Sequence, residues 1–162
     1  MSEIQLPADR RKLVEALSSL ISYAESIGIA REELLSSGKK YAVPASAFRH
    51  LPGLEAVVKY LRENCALENI EIAELLSRSI KTVWASYERA KKVMPGRIPD
   101  SSEFLIPADE FANRRLSILE NVVYFLKREG LNTKKIAEIL GKDYKTIWTI
   151  ARRAEIKNAQ QI

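Results

Sequence analysis

From Ala8 onward apolar residues fall at helical spacing: Leu13, Leu17, Leu20, Ala24 and Ile27 are separated by four, three, four and three residues, and Val14 and Ile21 widen the stripe. This pattern predicts an amphipathic helix over 8–27. Gly28 ends it, and Ile29–Leu35 read as a second short helix before the turn-like Ser36-Ser37-Gly38. The stripe covers barely two heptads, too few for a coiled coil, so it is expected to pack on the domain that follows or to form a homodimer contact. After residue 42 the same period predicts helices over Leu54–Asn64 and Leu119–Glu129, burying Leu54, Val57, Val58 and Leu61 and their counterparts in the second segment. Short helices follow at about 69–76 and 134–140, the second started by Thr133 as N-cap. Last helices begin at Ser79 and Asp143, both good N-cap residues. Pro44 and Pro107 suit the first turn of further short helices, where a missing N–H costs nothing. No strand-like alternation of any length is present.

These elements recur because the sequence does. Residues 71–90, EIAELLSRSIKTVWASYERA, match 135–154, KIAEILGKDYKTIWTIARRA, without a gap. Ile72 aligns with Ile136, Leu76 with Leu140, Lys81-Thr82 with Lys145-Thr146, and Trp84 with Trp148. Upstream, Val43-Pro44 and Phe48 echo Ile106-Pro107 and Phe111, and residues 51–64 echo 116–129. A period in the sixties is longer than a solenoid unit and marks a duplicated small domain. The fold class expected is all-α: two tandem trihelical or tetrahelical helix-turn-helix domains (43–97 and 98–162) preceded by an N-terminal helical segment (1–42). KVMPGRIPDSS at 92–102, with two prolines, a glycine and two serines, reads as the linker between the domains.

Composition narrows the chemistry. The 162 residues carry a formal charge of +5, which admits an anionic partner without requiring one. Residues 1–42 are balanced, whereas 78–97 hold Arg78, Lys81, Arg89, Lys91, Lys92 and Arg97 against Glu88 alone. Positive charge therefore gathers where the repeated motif ends, as a nucleic-acid footprint does, although basic residues late in a helix also favour its dipole. One Cys and one His supply neither a disulfide nor a zinc site of the usual kind. Cys65 reads as a core or helix-end residue and His50 as a loop residue. There is no Gly-rich phosphate loop, no metal-ligand cluster, no signal-peptide core and no apolar run long enough to span a membrane. A non-enzymatic cytoplasmic protein without cofactor is expected.

A short helix, a turn of about three residues and a longer helix constitute a helix-turn-helix unit. Ala73 and Ala137 are small where the two helices must approach. Ile72, Leu76, Val83, Tyr87 and Ala90 form the inward face of the first copy, and Ile136, Leu140, Ile147, Ala151 and Ala154 that of the second. EIAELL…KTVW…A and KIAEIL…KTIW…A resemble the C-terminal helix-turn-helix of bacterial sigma factors (region 4) and of LuxR-type response regulators. The resemblance covers roughly 51–92 and 116–157; Arg78 and Lys142 depart from it, standing in turns where such motifs often carry an apolar residue. Nothing resembles a promoter-melting region or a receiver domain, so the likeness implies a prokaryotic DNA-binding module and not a complete initiation factor.

On a helical wheel with Val83 inward, the outward residues of the first copy are Lys81, Ala85, Glu88 and Lys92, flanked by Arg78, Ser79, Thr82, Trp84 and Arg89. In the second copy they are Lys145, Thr149 and Arg152, flanked by Lys142, Thr146, Trp148 and Arg153. Lys and Arg can bond guanine or phosphate, and Thr and Ala suit a thymine methyl. The second copy is the more basic and is expected to bind the more strongly, with the two copies reading different half-sites. Each Trp either caps its small core against Phe48 or Phe111 or faces a groove or partner. Two readings follow. One is a sequence-specific double-stranded-DNA-binding transcriptional regulator acting as a covalent pseudo-dimer. The alternative is an adaptor that binds another protein, such as RNA polymerase or another part of the transcription machinery.

Overall fold

The computed structural model describes residues 8–31, 41–100 and 104–160. The chain is all-α, with a single minor sheet among the described residues, and divides into two compact units, Met1–Lys40 and Tyr41–Ile162. The first contributes α1 (Ala8–Ser26), terminated by Gly28 in the left-handed region at φ 88°. Along α1, Leu13, Val14, Leu17, Leu20 and Ile27 are exposed, Ile21 is half-buried and Ala24 is buried. The expected second helix over 29–35 and the turn at 36–38 lie largely outside the described residues.

The second unit repeats one plan. A three-residue strand β1 (Ala42–Pro44) leads into a 3-10 turn, η1 (Ala45–Arg49), and then α2 (Gly53–Glu63), α3 (Asn69–Leu76) and α4 (Ile80–Val93). The second copy runs β2 (Leu105–Pro107), η2 (Ala108–Ala112), α5 (Ile118–Arg128), α6 (Thr133–Leu140) and α7 (Tyr144–Ala159). Pro44 and Pro107 stand at the N-caps of the 3-10 turns, where their locked φ suits the bend. Ser79 and Asp143 cap the last helices as expected, accepting from the N–H of Thr82 at 3.1 Å and of Thr146 at 3.0 Å. The cap of α6 is Asn132, whose carboxamide accepts from Lys135 N at 2.8 Å; Thr133, expected there, is the first helical residue and is buried.

Each copy buries the anticipated inward residues: Ile72, Leu76, Val83 and Ala90, and Ile136, Leu140, Ile147, Ala151 and Ala154. Tyr87 is half-buried, because its hydroxyl donates to Glu63 at 3.1 Å and its ring takes the cations of Arg62 and Lys91. The copies expected as domains 43–97 and 98–162 are not separate bodies joined by a free linker. They share one continuous core inside the unit Tyr41–Ile162. Strands β1 and β2 pair antiparallel, with Ala42 opposite Pro107, Val43 opposite Ile106 and Pro44 opposite Leu105. Two backbone bonds extend the ladder reciprocally: Ala45 N donates to Phe104 O at 2.9 Å and Ala108 N to Tyr41 O at 2.8 Å. Phe48 and Phe111, both buried, meet with ring centroids 6.0 Å apart. Gly53 comes so close to Ile118 that a Cβ there would lie 3.0 Å from Ile118 Cβ. The short helix of each copy packs on the 3-10 turn of the other, α3 on η2 and α6 on η1.

All these contacts join equivalent positions of the two copies, or exchange them, so a pseudo-twofold axis passes between Val43 and Ile106. The proline-containing stretch after α4 is fastened as well. Ile98 is buried, its carbonyl accepts from Asn64 Nδ2 at 3.1 Å, and the Tyr60 hydroxyl donates to Asp100.

Candidate nucleic-acid interface

Helices α4 and α7 present the face that the helical wheel assigns outward. Their buried sides are Val83, Ser86 and Ala90, and Ile147, Ala151 and Ala154. Opposite those sides, Lys81, Thr82 and Lys92 in one copy, and Lys145, Thr146, Thr149, Arg152 and Arg153 in the other, are exposed; Ala85 is half-buried. Among the described residues Lys81, Lys92 and Lys145 form no ion pair, so their charges are directed at solvent. Other cations are engaged. Glu88 pairs with Lys91 at 3.0 Å, and Arg89 reaches back to Glu55 on α2 at 2.8 Å. In the last turn of α7, Lys157 holds Glu120 of α5 at 2.8 Å. Burial opposes ionisation of Glu120, but that ammonium together with the Ser117 N–H and nearby Arg153 holds its carboxyl below the usual range.

The tryptophans are 56% and 52% exposed, so neither indole caps its core. Phe48 and Phe111 pack on one another across the two copies. Trp148 forms an exposed ridge with Tyr144 one turn before it and Arg152 one turn after, the guanidinium lying 6.0 Å from the ring centroid. A shallow concavity runs along this ridge, lined by Tyr144, Lys145, Trp148 and Thr149. In the first copy the corresponding ridge is Ile80, Trp84 and Glu88. Tyr144 and Ile80 are additions to the outward set; their position four residues before each Trp was the available signal.

Polar groups at the start of each rod are held by the caps. Thr82 Oγ1 lies 2.8 Å from Ser79 Oγ, Thr146 Oγ1 donates to Asp143, and Thr149 Oγ1 donates to Lys145 O at 2.9 Å. The Thr149 hydroxyl is thereby engaged by the backbone, which leaves its methyl group as the free part of the side chain. The turns before the rods carry unexpected company. Gly141, in the left-handed region at φ 62°, lies under Arg49 of the other copy, whose Nη1 donates to Glu138 O at 3.0 Å. Arg78 is half-buried with Nε lacking a hydrogen-bond partner, and burial first, then the charge of Arg114 from the other copy, lowers its pKa. Lys142 is half-buried at the matching position. Thus each turn lies beside an arginine contributed across the pseudo-twofold axis. At Arg78 and Arg114 two like charges stand together, which an anion would relieve.

Among the described residues no group of three or more His, Cys, Asp or Glu side chains could hold a metal ion, and no helix is long and apolar enough to cross a membrane. Cys65 lies just beyond the Asn64 C-cap of α2, half-buried, with its thiol pushed up by burial and then by Asp100, which disfavours a reactive thiolate. His50 is exposed at the end of η1. No family model matches this chain, and no curated protein or solved structure matches it significantly.

Proposed function

We propose that this chain is a cytoplasmic, sequence-specific double-stranded-DNA-binding transcriptional regulator, its two helix-turn-helix copies acting as a covalent pseudo-dimer. The observation that carries this reading is that α4 and α7 both stand open on the same helical face, with Lys81 and Lys145 unpaired at equivalent positions near their N-termini. An N-terminal rod segment with short polar, cationic and aromatic side chains is what enters a major groove and reads base edges. Arg49, Arg114, Arg78 and Lys142 at the turns suit phosphates on either side.

Fluorescence-anisotropy titration with duplex DNA at two salt concentrations tests the reading. Affinity should fall steeply with salt, because each phosphate neutralised releases counterion. Lys145→Ala with Arg152→Ala should weaken binding at least ~10-fold, and by more than Lys81→Ala with Glu88→Ala. Affinity indifferent to salt would remove the regulator.

A second reading is favoured by a specific observation: Tyr144 and Trp148, and Ile80 and Trp84, form exposed apolar ridges on these same faces. Such surface suits a protein partner, for example part of the transcription machinery. Under that reading Trp84→Ala and Trp148→Ala would abolish capture of the polymerase, and no duplex would compete.

A further inference from the structure

The relation between the copies restricts how two rods can meet DNA. Resting on the DNA-binding reading above, we propose that a single chain reads an inverted repeat whose halves are alike at one end and different at the other. The pairing of Val43 with Ile106, the reciprocal bonds from Ala45 to Phe104 and Ala108 to Tyr41, the Phe48–Phe111 contact and the crossed packing of α3 on η2 and α6 on η1 all obey one twofold operation. An isologous arrangement of this kind brings equivalent surfaces into opposite sense. Duplex DNA has its own twofold axes, and a rigid body with this symmetry matches half-sites on opposite strands. Reading a direct repeat would require one copy to rotate half a turn against the other. The shared core and the fastened stretch around Ile98 oppose that.

The side chains then define the asymmetry. Near the start of each rod the copies are identical at Lys81 and Lys145, Thr82 and Thr146, and Trp84 and Trp148. One turn later they diverge: Ala85 stands where the second copy has Thr149, and Glu88 where it has Arg152. Bases beneath the first set should be common to both halves. Bases beneath the second should differ, with Arg152 suited to guanine and Glu88 to the cytosine amino group.

The test is selection of bound duplexes from a random library by the full chain, followed by affinity measurement on the selected site with one half reversed. The expected result is an imperfect inverted repeat, and reversal into a direct repeat should cost at least ~100-fold through lost simultaneous engagement. The chain carrying Ala85→Thr and Glu88→Arg should gain ~10-fold for a symmetric site made of two second-copy halves. Enrichment of a direct repeat, indifference to reversal, or one chain bridging two duplexes overturns the inverted arrangement while leaving DNA binding intact. Failure to enrich any duplex removes the DNA-binding reading itself.

Discussion

Two equivalent turns solve one backbone problem with different residues. The first uses Ser77 at φ 52°, the second Gly141 at φ 62°. Only glycine adopts this conformation without steric cost. Ser77→Gly should therefore stabilise the chain by about 1 kcal/mol, and Gly141→Ala should destabilise it by at least about 1 kcal/mol in denaturant unfolding. The second change also brings a methyl within 3.3 Å of Arg49 Nε and disturbs the arginine over the turn. Equal responses at both positions would contradict the geometry.

Asp143 adds a pH dependence that Ser79 cannot. Its carboxyl is held below the ordinary value by the Thr146 hydroxyl and then the Thr146 N–H. A depressed folded value means that the unfolded chain binds the proton more readily. The stabilisation is full above about pH 4 and is lost as pH falls through the folded value. Asp143→Asn keeps a capping side chain without a titrating group, so melting profiles of this variant should lose less stability than wild type between about pH 5 and 2. Parallel losses would show that the cap does not titrate as described. Residue identity alone revealed these two caps. It misassigned α6, because Asn132 and Thr133 are adjacent capping types and only the backbone shows which one turns its oxygen to Lys135 N.

At the level of elements the helices were legible. Apolar spacing, caps and the Gly141 turn all point to the observed α2–α4 and α5–α7, with Leu54 only half-buried and Val57, Val58 and Leu61 sealed. The strands were not. Each has three residues and ends in proline, too short for any alternation, and each is stabilised by the other copy and not by its own. The indoles illustrate the same limit. A Trp four residues after Ile80 or Tyr144 can cap a core or point away from it. Sequence spacing does not decide between these, and the structure leaves both indoles more than half exposed. The glycine and prolines around Pro95 and Pro99 correctly mark an irregular stretch. They give no sign that Ile98 is buried and fastened to α2 by Asn64.

At the scale of the molecule, duplication was plain in the sequence but interlocking was not, since copies read one at a time never show what lies between them. Interlocking predicts that neither copy folds by itself. Residues 41–97 or 98–160 produced alone should lack a cooperative thermal transition by circular dichroism, whereas 41–160 should melt as one unit. Phe111→Ala should cost about 3–5 kcal/mol and weaken hydrogen-exchange protection in α3 of the opposite copy as well as in its own helices. Two independent transitions in the joined unit would contradict a shared core.

The central claim is that both rods face one duplex together, and the two indole N–H groups report on it directly. Trp84 and Trp148 are the only tryptophans in the chain, so each gives one indole signal in a nitrogen-15 correlation spectrum. On titration with the selected duplex both signals should shift in parallel, saturate at one chain per duplex and return toward their free positions as salt is raised. Two indole signals that stay in place while DNA binds, or one that moves without the other, would contradict the account.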